Sequence, residues 1–143
     1  MTTQASNPRL PGKIALVTGG GSGIGRASAI RMAQHGAKVA LVDRDKQDAD
    51  KVREEIEAFG GEALSIDADV SVPEEVEQAV EQTVKQFGGL DIVFANAGIN
   101  GVVTSIEAMK PEEWSTTVDI NLKGTFLTVK YAIPHLKKKG AVS

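Results

Sequence analysis

Five of the seven residues from Gly19 to Gly25 are glycine, and an apolar, partly β-branched run, Lys13-Ile14-Ala15-Leu16-Val17-Thr18, leads straight into them. A helix-compatible segment from Arg26 to Gly36 follows, so the stretch reads as strand, glycine loop, helix. The chemistry open to such a junction is anion binding. The first turn of a helix leaves backbone N–H groups unpaired and carries roughly half a positive charge, and glycines let the backbone approach a phosphate without interference from Cβ. Gly19, Ser22, Gly23, Ile24 and Gly25 are therefore candidates for holding a nucleotide diphosphate. The spacing is T-G-x-x-x-G-x-G. It is not G-x-G-x-x-G, which would need glycine at Ile24 or Arg26, nor a triphosphatase phosphate loop, which would need lysine at Arg26.

Asp43 closes the apolar run Lys38-Val39-Ala40-Leu41-Val42, near the ~20-residue spacing expected between such a loop and a ribose-binding acid. Its carboxylate can accept from both ribose hydroxyls. A 2′-phosphate at ~5 Å would be repelled by about 3 kcal/mol per unit charge at an effective dielectric of 20, so NAD is expected in preference to NADP. Arg44, next in sequence, could instead turn inward and pair with a 2′-phosphate.

The elements that must position these residues follow from periodicity. Strands are expected at about 13–18, 38–43, 62–66 and 90–95. Helices are expected after each, with Ile24, Ala27, Ile30 and Ala33 on one face of the first, then Val52, Ile56 and Phe59, then Val76, Val80, Val84 and Phe87. Ser71-Val72-Pro73-Glu74 has capping-box spacing ahead of the third helix. Pro111 opens a last helical region running to Gly140, with a bend expected at Pro134. The alternation demands an α/β fold with a Rossmann-type, doubly wound parallel sheet. Residues 1–11, polar and with Pro8 and Pro11, are expected as a flexible arm, and 12–143 as a partial NAD(P)-binding domain. Ala141-Val142-Ser143 is enough to begin a fifth strand, so the sheet is expected to stop after the fourth strand and its helix.

Composition narrows the function classes. The 143 residues are 41% hydrophobic and 24% charged with a net charge of −3, which suits a soluble globular protein and offers no basic field for nucleic acid. The absence of cysteine excludes disulfides, thiolate catalysis and cysteine-bound metal, and no metal site is expected. No apolar run approaches the ~20 residues of a membrane helix, and Met1 to Pro8 lacks the apolar centre of a secretory signal, so a cytoplasmic location is expected.

Thr18-Gly19 with Gly23 and Gly25, Asp43, Asp69-Val70, Asn96-Ala97-Gly98 and Asn121 within Asn121-Leu122-Lys123-Gly124, in that order, resemble the short-chain dehydrogenase/reductase family. The resemblance runs from about Lys13 to the end of the chain. It implies an oxidoreductase that moves hydride between a nicotinamide cofactor and an alcohol or carbonyl substrate. It also implies that Asp69 and Val70 hold the adenine, that Asn96, Ala97 and Gly98 support the cofactor pocket, and that Asn121 belongs to a catalytic tetrad. Asp69 can accept from an exocyclic amine and Val70 can pack on a purine, which agrees with that assignment.

Members of this family are longer, and their catalytic serine and Tyr-x-x-x-Lys fall on and after the fifth strand. The one tyrosine, Tyr131, has His135 four residues on and lies before that strand, and Ser143 falls short of the family's serine. The chain alone is therefore expected to bind cofactor without catalysing the reaction. Other readings are a non-catalytic NAD-binding or dimerising module, and an S-adenosylmethionine-binding methyltransferase-like domain, since Gly21-Ser22-Gly23-Ile24-Gly25 also satisfies G-x-G-x-G. The expected partners are a small alcohol or carbonyl substrate in the complete protein and either a second copy or a carboxyl-terminal half. His35, His135 and Lys137 to Lys139 read as capping or solvated surface positions.

Overall fold

A computed structural model describes residues 3–140. Four parallel strands, β1 (Ile14–Thr18), β2 (Lys38–Asp43), β3 (Glu62–Asp67) and β4 (Ile92–Phe94), lie in the order β3-β2-β1-β4. They alternate with α1 (Gly23–Gln34), α2 (Lys46–Ala58) and α3 (Pro73–Phe87), and after β4 come α4 (Pro111–Val118) and α5 (Gly124–Lys138) joined by a π-helical turn at Asp119–Lys123. This is the doubly wound parallel sheet expected from the sequence.

Strand side chains alternate between the two faces of a sheet, so a strand covered on both must be apolar throughout. All five residues of β1 are buried. Ala15, Val17, Val39 and Leu41 pack on one face with Ala29, Ile30 and Ala33 of α1 and Val52 and Ile56 of α2. Ile14, Leu16, Ala40, Val42 and Ile66 pack on the other with Ala79 and Val80 of α3 and Ala132 of α5. A third, smaller cluster joins Val70, Val76, Ile120 and Leu127, tying the loop after β3 to the π-helical turn.

Several boundaries differ from the sequence expectation. Helix α1 starts at Gly23 rather than Arg26, inside the glycine run, because a residue as small as Gly25 can enter the helix and still pass against Gly19 at the end of β1. Its buried stripe is Gly25, Ala29, Ile30 and Ala33, whereas Ile24 is 72% exposed. Ala27 is exposed as well. β4 is shorter than 90–95, although Leu90 remains fully buried. α5 continues uninterrupted through Pro134, where a bend is expected from the sequence. A departure from α-helix falls at Asp119–Lys123.

Ser71 does not cap α3: Val72 occupies the N-cap position, and no side chain caps it. Within the described part of the stretch expected as an arm, Ala5 N donates to Gln34 O at 2.8 Å and Leu10 N to His35 O at 2.9 Å, and the partly buried Leu10 packs on the first core cluster. The fifth-strand expectation for 141–143, and with it Ser143, lies outside the described residues.

Candidate functional site

In an open parallel sheet, ligands bind beyond the carboxyl ends of the strands, where successive connections leave for opposite faces. β1 turns into α1 on one face and β4 leads towards α5 on the other. Between their ends lies a cavity of about 350 Å³. Gly19, Ser22, Gly23 and Ile24 line it from the glycine loop, Asp43 and Arg44 from the end of β2, Ala68 and Val70 from the end of β3, and Asn96, Ala97, Gly98 and Ile99 from the end of β4.

The glycine loop is shaped by close approach. Gly19 has φ +66° and Gly23 φ +53°, a region that costs other residues strain. A Cβ on Gly25 would lie 2.0 Å from Gly19 O, so only glycine allows the first turn of α1 to fold back over the end of β1. Arg26 N, which donates to Ser22 O at 3.0 Å, is the first amide of the helix with an intrahelical partner. Gly23, Ile24 and Gly25 therefore present first-turn amides with no acidic residue beside them. That donor set, in a cradle that a Cβ would fill, fits a diphosphate.

Asp43 anchors the opposite wall. Its Oδ2 accepts from Gly21 N at 2.9 Å and its Oδ1 from Asp45 N at 2.9 Å. A carboxylate has about four acceptor sites, so lone pairs remain for ribose hydroxyls. A Cβ on Gly21 would come within 2.9 Å of Asp43 Oδ2, which makes glycine the residue that lets the acid seat against the loop.

Asn96 ties β4 to the loop. Thr18 Oγ1 accepts from Asn96 N at 2.9 Å and Ala97 N at 3.0 Å, while Asn96 Nδ2 donates to Thr18 O at 3.1 Å. Gly98 passes beside Asn121, where an added Cβ would lie 3.2 Å from Asn121 Oδ1. Asn121 stands in the π-helical turn, an irregularity common at functional sites. Both polar atoms of its side chain meet Ile99: Oδ1 accepts from Ile99 N at 2.8 Å and Nδ2 donates to Ile99 O at 2.8 Å.

Val70 is buried and lines the cavity, and Gly124 at the start of α5 packs directly on it, since a Cβ there would lie 2.7 Å from Val70 Cγ2. Asp69 is outside the lining. Its carboxylate is partly exposed, with Oδ1 accepting from Ser71 N at 2.9 Å and Ser71 Oγ at 2.7 Å, and Oδ2 facing Arg44 Nε at 3.9 Å. Burial pushes the Asp69 carboxyl up. The Ser71 hydroxyl and amide, followed by the charges of Arg44 and Lys123, outweigh that and hold it below the usual carboxylate range.

The structure thus gathers Gly19, Ser22, Gly23, Ile24, Asp43, Arg44, Val70, Asn96, Ala97 and Gly98 around one cavity. Gly25 and Asn121 support its walls, and Asp69 stands beside it. Ile99 and Ile120 also line it and carried no signal in the sequence, because they enter through the path of the β4–α4 loop and the phase of the π-helical turn. The Ser71 bond to Asp69 was within reach, since an Asp followed two residues later by a donor is the pattern of an Asx turn. Tyr131 is half-buried against the second and third clusters, away from the cavity lining. Among the described residues no cluster of three or more metal-binding side chains occurs, and no helix is long and apolar enough to cross a membrane.

The short chain dehydrogenase family matches residues 13–142. Cyclohexanol dehydrogenase of Acinetobacter sp. (strain SE19) is 41% identical over 128 residues, 90% of this chain and 51% of that protein. A solved 3-ketoacyl-(acyl-carrier-protein) reductase from Brucella melitensis, in complex with NADH, superposes with a TM-score of 0.86 at 45% identity, covering 92% of this chain and 53% of its own. NAD+-bound xylitol dehydrogenase does so with a TM-score of 0.88 at 31% identity, covering 92% and 50%. The chain spans about half the length of the relatives it matches. With the family match extending over nearly all of its residues, and the sheet order and glycine loop in agreement, the chain belongs to the short chain dehydrogenase family.

Proposed function

We propose that the chain is the dinucleotide-binding half of an NAD-dependent oxidoreductase acting on an alcohol or carbonyl compound. The observation that carries this reading is the convergence, on one cavity, of the unpaired α1 amides, the Asp43 carboxylate and the Asn96–Gly98 turn. Relatives that were solved with NADH or NAD+ bound, and relatives named for alcohol substrates, support it. Nicotinamide, when bound, supplies the hydride chemistry.

The chain's own residues bind and orient. The first-turn amides neutralise the diphosphate, and Asp43 accepts from the adenosine ribose, disfavouring a phosphate at the 2′ position. Val70 packs on the base, and Asn96 fixes the loop carbonyls. Asn121 acts as a positioning residue by holding Ile99, and through it the wall of the cavity. The sequence contains no Tyr-x-x-x-Lys to move a proton to or from a substrate oxygen, so the 143 residues bind dinucleotide without turnover.

The test is a titration of the chain with NADH and NADPH, followed by the change in nicotinamide fluorescence, with S-adenosylmethionine as a third ligand followed by calorimetry. Solvent screening at the open cavity brings the repulsion of a 2′-phosphate down to the order of 1 kcal/mol, so NADH is expected to bind roughly tenfold more tightly than NADPH. Equal affinity would remove the assigned role of Asp43, and binding of S-adenosylmethionine alone would overturn the reading.

A further inference from the structure

A second groove, of about 700 Å³, lies between the amino-terminal segment and α1. Arg9 and Leu10 line it from the segment, and Ala27, Arg31, Met32 and the C-cap residue His35 from the helix. Ala27, Arg31 and His35 recur every four residues and so share one helix face. Arg9 N donates to His35 Nδ1 at 3.3 Å and Leu10 N to His35 O at 2.9 Å, so two successive amides fasten the segment to the end of α1. Leu10 and Met32 pack on the first core cluster, which gives the groove an apolar floor.

The polar groups around that floor are all donors. Among the described residues neither Arg9 nor Arg31 pairs with a carboxylate, and the Arg31 guanidinium reaches only Gln34 Oε1, at a long 3.4 Å. Because His35 Nδ1 accepts from Arg9 N, the proton of the neutral imidazole sits on Nε2, and that atom is buried with no partner among the described residues. We propose that this groove is a second ligand site, for an amphiphilic oxyanion: a carboxylate or phosphate monoester carried on an apolar body. Guanidinium forks match either head group, and the apolar body covers Leu10 and Met32. A bare inorganic anion would use the arginines alone and a hydrocarbon the floor alone; their juxtaposition selects a molecule with both parts. The volume is that of a small-molecule site, roughly 300–1,000 Å³. The groove shares no lining residue with the dinucleotide cavity, so its occupancy is independent of the function proposed above.

The experiment is calorimetric titration of the 143-residue chain with octanoate, octyl phosphate, octylammonium and acetate, each below its micelle concentration. At least one of the two amphiphilic oxyanions should bind with a Kd of about 1 mM or tighter, and octylammonium and acetate at least tenfold more weakly. Comparing octanoate with octyl phosphate identifies the head group. Arg9→Gln and Arg31→Gln should each weaken the bound oxyanion about tenfold, with Arg31→Lys losing less. Ala27→Trp, at an exposed helix position, should fill the groove and abolish binding, and Phe126→Asp, on the apolar face of α5, should leave it unchanged. Melting curves without ligand establish that each variant is folded. Failure of both oxyanions to bind overturns the inference, as does octylammonium binding as well as octanoate, which would be adsorption to apolar surface. Retained affinity in Ala27→Trp overturns it too, and competition by NADH would move the oxyanion to the dinucleotide cavity and overturn it while leaving the dinucleotide reading in place.

Discussion

Thr18 is the last residue of β1, only 3% exposed, and its hydroxyl oxygen is the shared acceptor for two amides at the end of β4. A buried donor left without a partner costs about 1–3 kcal/mol, more than the net gain of an average hydrogen bond. Replacing Thr18 by valine keeps shape and volume but orphans Asn96 N and Ala97 N together. Thr18→Val is expected to lower unfolding free energy by about 2 kcal/mol in urea denaturation and to weaken NADH binding, because the same turn forms the cavity wall. A variant with unchanged stability would mean that water replaces the hydroxyl there.

At the scale of elements, the loop between β3 and α3 carries a charge whose protonation is linked to folding. Asp69 is held below the usual carboxylate range, so in the folded chain it takes up a proton less readily than in the unfolded chain. Between the two values the unfolded state binds more protons, and stability rises with pH. The contribution is complete above the ordinary carboxylate pKa and is lost as pH falls from there through the lower folded value. Asp69→Asn is expected to melt below the unsubstituted chain at pH 7, with the two melting temperatures converging as pH drops below about 4, measured by circular dichroism. A difference that stays constant with pH would show that Asp69 contributes by packing.

The same loop marks what the sequence made legible. The strand–loop–helix junction, Asp43 and the Asn96–Gly98 turn could be read because glycine spacing and an acid at a strand end are local patterns. The stripe of α1 was misphased because close packing of Gly25 against Gly19 O, and not hydrophobicity, decides which face is buried. Neither the seat of Ile120 in the cavity nor the Asn121–Ile99 pairing could be read, since both depend on a π-helical turn that leaves no periodicity behind.

On the scale of the whole molecule, Leu122, Phe126 and Val129 follow one another at helical spacing from the π-helical turn into α5 and are 69%, 60% and 41% exposed. An apolar stripe of this kind is unfavourable in water and gains by being covered. We propose a second copy of this chain as its cover, for which a concentration-dependent mass is expected in size-exclusion chromatography with light scattering. Phe126→Asp should shift the population towards monomer without lowering the melting temperature of the dilute protein. A monomer at all concentrations would leave the stripe to a segment of a longer chain.

The clamp between Thr18 and Asn96 also bears on the time order of folding. Its partners are 78 residues apart, whereas β1 and β2 are joined by one short helical connection. Non-local contacts must first meet the entropy of closing a long loop, so they form late. As the chain leaves the ribosome, β1, β2 and β3 can pair while the end of β1 still lacks its clamp, and only the arrival of Asn96 fixes the glycine loop. Nucleotide binding would therefore favour the clamped state, by holding a turn that is secured only after β1, β2 and β3 have paired.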